Sequence, residues 1–238
     1  MLHLLTDPAV WASFLTLTML EIVLGVDNVI FISIAAQRLP AAQRGRARVI
    51  GLSGALVLRV GLLFSIAWIV SLAEPFVTVA GFGLSWRDLI LLAGGLFLIW
   101  KAATEIFDEV EGTEDHEAAR ATASFIGVIA QIMVLDLVFS LDSVITAVGI
   151  ADHLEVMVAA VVLAVLVMMV AAEPIAGFVE AHPSTKMLAL AFLVMVGMAL
   201  VADGLHHHIE RGFIYAAMVF AGGVEVLNLL RAKRRQAR

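Results

Sequence analysis

The chain has no cysteine, which removes disulfides, thiolate metal sites and thiol redox chemistry from consideration. Charge is scarce as well. Asp, Glu, Lys and Arg make up 15% of the 238 residues, well below the roughly one quarter usual in soluble domains. Long polar stretches are missing too: the longest, residues 108–120, reads as a loop, so the chain is expected to form a single membrane domain, 1–238, with no soluble domain. The opening MLHLLTD lacks a basic start and a small-residue cleavage site, so no cleavable signal peptide is expected. The net charge of −6 is a poor guide to partners, because much of it comes from one acidic loop and from carboxylates inside apolar runs.

What is there is apolar. Hydrophobic residues make up 62% of the chain and the mean hydropathy is +1.01. They come in runs near 20 residues rather than in the narrow stripe of a soluble amphipathic helix. Such runs predict an all-α membrane protein of seven transmembrane helices, at 8–36, 49–72, 88–106, 123–150, 154–172, 186–203 and 213–230. A barrel is not expected, because the runs are continuous instead of alternating. Arg38, Arg44, Arg46 and Arg48 follow the first span, and Arg231, Lys233, Arg234, Arg235 and Arg238 follow the last. Lys and Arg gather on the cytoplasmic side, which predicts an outside N-terminus and a cytoplasmic C-terminus in a multi-pass protein of the cell (inner) membrane.

The stretch EIVLGVDNVI from Glu21 recurs 115 positions later as DLVFSLDSVI from Asp136. Aligned, Glu21 meets Asp136, Asp27 meets Asp142 and Asn28 meets Ser143. A weaker echo pairs LAEPF, from Leu72, with AAEPI, from Ala171. A third pairs Leu92, Ala93 and Glu105 with Leu190, Ala191 and Asp203. The chain therefore reads as two three-span repeats, about 8–106 and 123–203, plus a seventh helix at about 213–230. Three spans per repeat make the second enter the membrane from the opposite side, the inverted arrangement of many secondary transporters, with the site near the midplane.

Ionised carboxylates in hydrocarbon cost about 2.5–3.5 kcal/mol each on insertion scales, so they normally face a cavity or a partner. Four are placed here: Glu21, Asp27, Asp136 and Asp142. Seven residues bring Glu21 under Asn28 and Asp136 under Ser143 on a helix, with Asp27 and Asp142 on the adjoining flanks. Carboxylate, amide and hydroxyl oxygens suit hard dications such as Mn²⁺, Mg²⁺ or Ca²⁺. The candidate metal-binding residues are therefore Asp27, Asn28, Asp142 and Ser143, with Glu21 and Asp136 as direct ligands or as groups supporting them.

Other features have plainer readings. Arg59 in the second span is expected in a structural ion pair, with one of these carboxylates or with Glu225. Glu74 and Glu173, each before a proline, read as helix-end punctuation. Lys101 and Glu105 are spaced for an i,i+4 pair. The run from His206 to His208 reads as a solvated turn, and Met133, Met195, Met168 and Met169 as apolar filling rather than a copper site. Small-residue clusters at Gly51, Gly54, Gly94, Gly95, Gly222 and Gly223 allow close helix packing, within one chain or in a homo-oligomer.

EIVLGVDNVIFIS and QIMVLDLVFSLDSVITAVG, with LILLAGGLFLIWKA and HPSTKMLAL, resemble the paired signatures of the TerC family of integral membrane proteins, named for an association with tellurium resistance. The likeness covers most of the chain and is to the shorter bacterial branch without appended soluble domains. It implies a seven-span fold related to the lysine-exporter superfamily, a role in Mn²⁺ export, and functional roles for Asp27, Asn28, Asp142 and Ser143. Tellurite is a poor substrate for such residues, since it is an oxyanion and they are carboxylate-rich.

The leading expectation is a secondary transporter that exports a divalent cation, Mn²⁺ first, in exchange for protons. It is not expected to be an enzyme or to carry a prosthetic group. Its partners would be a divalent cation and the lipid bilayer, without nucleic acid. A non-transporting metal-binding or assembly factor is the alternative. An intramembrane aspartyl protease is disfavoured, because the YD and GxGD contexts are missing.

Overall fold

The structure is a computed structural model that describes residues 6–65, 74–79, 82–111, 124–150 and 153–236. Within these, the side chains of Asp27, Val79, Phe82, Asp142, residues 145–150, Arg211, Arg235 and Gln236 are not described. Seven helices account for nearly all of it: α1 (Pro8–Gln37), α2 (Ala41–Phe64), α3 (Trp86–Glu111), α4 (Phe125–Ile150), α5 (Leu154–Ala181), α6 (Pro183–Gly204) and α7 (Arg211–Gln236). Six are long and apolar enough to cross a membrane among the described residues, and α4 is apolar from Phe125 to Leu141 within its 26 residues. The predicted all-helical membrane class is therefore the observed one.

Local chemistry marks the helix starts. Asp7 accepts the backbone N–H of Ala9 at 2.9 Å and Pro8 opens α1, where its missing N–H costs nothing. Pro40 precedes α2 and Pro183 opens α6 in the same way.

Two boundaries depart from expectation. The fifth helix does not stop before Glu173 and Pro174 but runs on to Ala181. Proline removes one N–H and crowds the preceding turn, yet membrane helices tolerate it when the apolar run continues, and Ala176 and Val179 beyond it are buried. Pro75, by contrast, opens a strand. β1 (Pro75–Val79) pairs antiparallel with β2 (Phe82–Ser85), Val79 opposite Phe82, with a register shift between Pro75 and Val77. Helix α2 is described to Phe64, and the expected remainder of the second span, 66–72, lies outside the described residues. Phe76 stacks on Trp86 with ring centroids 4.9 Å apart.

The described residues form two compact units. One comprises residues 1–86 and 114–178, and so holds α1, α2, the hairpin, α4 and most of α5. Its core is built from Leu17, Val29, Leu63, Ile132, Val144 and Val165, all at most 3% exposed. Gly51 lets α2 approach α4, since a Cβ there would stand 2.9 Å from Ile132. The other unit comprises 87–113 and 179–238, with nearly all of α3, and α6 and α7. Within it α3 and α6 cross at bare backbone: a Cβ on Gly95 would meet the Gly197 carbonyl oxygen at 2.7 Å.

Candidate functional site

The candidate site grows from the two repeat-related stretches. Glu21 lies on α1 and Asp136 on α4, each inside an apolar run that buries its face, so both carboxylates are drawn into the core; they are 2% and 3% exposed. Between them α2 inserts Arg59, itself 3% exposed. Its Nη1 donates to Glu21 Oε2 at 2.5 Å. Nη2 donates to Asp136 Oδ1 at 2.6 Å, and Nε lies 3.1 and 3.2 Å from the two Asp136 oxygens.

The fork of the guanidinium thus grips Asp136 side-on and reaches Glu21 with its other arm, geometry a lysine could not reproduce. Ser140, one turn along α4, places its hydroxyl 3.0 Å from Asp136 Oδ2 and 2.5 Å from the Asp136 carbonyl oxygen. Three helices are tied at one point. Two carboxylates thus share one guanidinium. The expectation of a single partner for Arg59 is corrected: it holds both repeat-related carboxylates, whereas Glu225 accepts the hydroxyls of Ser184 at 2.5 Å and Thr185 at 3.1 Å.

Asn28 and Ser143, each seven residues beyond its carboxylate, are also buried. The Ser143 hydroxyl donates to the Ser140 carbonyl at 3.3 Å. The side chains of Asp27 and Asp142 lie outside the described residues, although both positions are helical, in α1 and α4. Among the described residues no group of three or more His, Asp or Glu side chains stands ready to hold a metal ion.

Sequence reasoning passed over Thr18, one turn before Glu21. Its hydroxyl is buried and has no hydrogen-bond partner among the described residues. A threonine in an apolar run carries little signal, but its i,i+3 spacing from Glu21 was readable. Ser140 was likewise readable as the i+4 neighbour of Asp136.

The second unit has polar clusters of its own. Lys101 and Glu105 form the expected i,i+4 pair at 3.5 Å. Lys186 also pairs with Glu109. The histidine run is not simply solvated. His206 Nε2 lies 3.0 Å from Oδ2 of the buried Asp88, and His208 Nδ1 lies 3.1 Å from Asp203 Oδ1. His206 holds a left-handed φ of 59°, which lets the chain turn back over the end of α6. The reason is tertiary: Gly204 packs on the Asp88 carbonyl, so the turn after α6 falls beside the start of α3.

The model of the Integral membrane protein TerC family matches residues 6–238. The UPF0053 inner membrane protein YgdQ of Escherichia coli K12 is 56% identical over 230 residues, covering 97% of each chain. A UPF0053 protein of Haemophilus influenzae is 53% identical over 96% of this chain and 97% of its own. The UPF0053 inner membrane protein YoaE of Escherichia coli K12 is 51% identical over 95% of this chain but 44% of its own length. No solved structure matches the chain.

Proposed function

Because the chain belongs to the TerC family of integral membrane proteins, we propose that it is a secondary transporter of the inner membrane that exports a divalent metal cation, Mn²⁺ first. The observation that carries this reading is a pair of repeat-related polar stretches buried in two long apolar helices that pack together, α1 and α4. Burial of polar and charged side chains at such positions is costly, and transport paths are where membrane proteins retain it.

In this reading Asp27 and Asp142 bind the ion, and Asn28 and Ser143 complete an oxygen shell suited to a hard dication. Glu21 and Asp136 support the site through Arg59, which fixes α1 against α4, and proton exchange falls to these carboxylates. The two three-span repeats, entering from opposite sides, supply the alternating access. The cation is cargo, so neither a resident prosthetic group nor an enzymatic step is invoked.

The test is Mn²⁺ efflux from dye-loaded proteoliposomes. Asp27→Asn and Asp142→Asn are each expected to lower the rate at least tenfold, by about 1.4 kcal/mol or more of lost ion stabilisation. Unchanged flux in both variants overturns the site assignment. Tight Mn²⁺ binding with no flux through wild-type protein would instead favour a metal-binding or assembly factor.

A further inference from the structure

Helix α7 carries a ridge whose two ends differ in chemistry. Phe213, Phe220 and Leu227 recur every seven residues and Arg234 continues the series, with Val224 and Arg231 set between them at i+4 spacing. Phe213, Phe220, Val224 and Leu227 are 71%, 75%, 42% and 67% exposed, and both arginines are exposed too. Glu225 is the one acidic residue of α7; it stands off this ridge and accepts the hydroxyls of Ser184 and Thr185. Among the described residues Arg231 and Arg234 make no hydrogen bond or ion pair. From Phe213 to Leu230 the helix rises about 27 Å, close to the roughly 30 Å of a hydrocarbon core, so the arginines emerge where lipid phosphates lie. The helix runs on to Gln236, which holds the two guanidinium groups one turn apart instead of letting them trail in a loop.

We propose that this ridge binds one anionic phospholipid, with an acyl chain along Phe220, Val224 and Leu227 and the headgroup between Arg231 and Arg234. Guanidinium groups grip phosphate oxygens through paired N–H donors. Every phospholipid offers a phosphate, but an ammonium offsets it in phosphatidylcholine and phosphatidylethanolamine, whereas phosphatidylglycerol keeps its net charge. Two arginines with no carboxylate beside them therefore select the net-negative headgroup, each contributing about fivefold in binding. The site uses no residue of the transport site proposed above and holds whether or not a cation crosses.

The chain has no cysteine, so Leu230→Cys, beside the ridge, takes a single fluorophore. The full chain is reconstituted in phosphatidylcholine vesicles with rising fractions of brominated phosphatidylglycerol or, in parallel, brominated phosphatidylcholine. Quenching at position 230 is expected to show a preference of about fivefold or more for phosphatidylglycerol. Arg231→Gln together with Arg234→Gln should bring it to parity, while Lys233→Gln, off the ridge, leaves it in place. A fluorophore on Val57→Cys, at a position 72% exposed on α2, is expected to show no such preference, which separates a site from diffuse attraction by the whole protein. Parity at position 230 with the arginines intact, a preference that survives the double arginine variant, or an equal preference at position 57 overturns the proposal. Protection of position 230 from both lipids overturns it as well, and would make the ridge a contact between copies of the chain.

Discussion

Arg59 donates to Glu21 and Asp136 from three nitrogens at a point where all three residues are at most 3% exposed. Desolvating such a cluster is expensive, and deleting one partner leaves the others charged and unmatched. Arg59→Leu is therefore expected to destabilise the fold by about 3–5 kcal/mol. The variant that also carries Glu21→Gln and Asp136→Asn should recover most of that loss. Thermal unfolding in detergent, read against wild type, checks both statements; equal stability of the single and triple variants would mean that the cluster is not a coupled unit.

The acidic residues were legible because a charge inside an apolar run stands out. Which carboxylates Arg59 would choose was not, since that depends on the rotation of α2 against α1 and α4.

At the scale of elements, the crossing of α3 and α6 rests on two glycines that bring backbones into contact. A Cβ on Gly197 would meet the Gly95 carbonyl oxygen at 2.9 Å, the mirror of the contact made from the other side. Gly95→Val is expected to force the helices apart and cost about 1–3 kcal/mol by overpacking. The same change at Gly222, where an added Cβ would meet nothing within 4 Å among the described residues, should be close to neutral. A thermal-shift comparison of the two variants measures the difference.

Seven helices were legible from run length alone, and six of them are long and apolar enough to cross a membrane among the described residues. The hairpin was not. The second span was expected to close at Leu72, with Glu74 before its proline as helix-end punctuation, and the strand that Pro75 opens just beyond carried no signal of its own. Pro174 misled in the other direction, because neighbouring apolar turns let a membrane helix absorb it.

At the scale of the whole molecule, the compact units do not follow the repeats: α1, α2, α4 and α5 contribute to one, and α3, α6 and α7 to the other. Each repeat expected from the sequence would thus give its first two helices to one unit and its third to the other, a division no linear reading of the chain exposes. The distribution of Lys and Arg makes a separate, global prediction. A fluorescent protein fused after Arg238 should glow, and alkaline phosphatase at the same place should be silent, if the C-terminus is cytoplasmic. The opposite pattern would invert the predicted orientation.

The grip of Arg59 also bears on how the chain is born. Synthesis delivers Glu21 first, Arg59 38 residues later and Asp136 another 77 after that. During the interval the bilayer holds one acid and one base on consecutive helices, a neutral couple far easier to insert than either charge alone. Helix α4 then arrives to find a guanidinium already in place for Asp136.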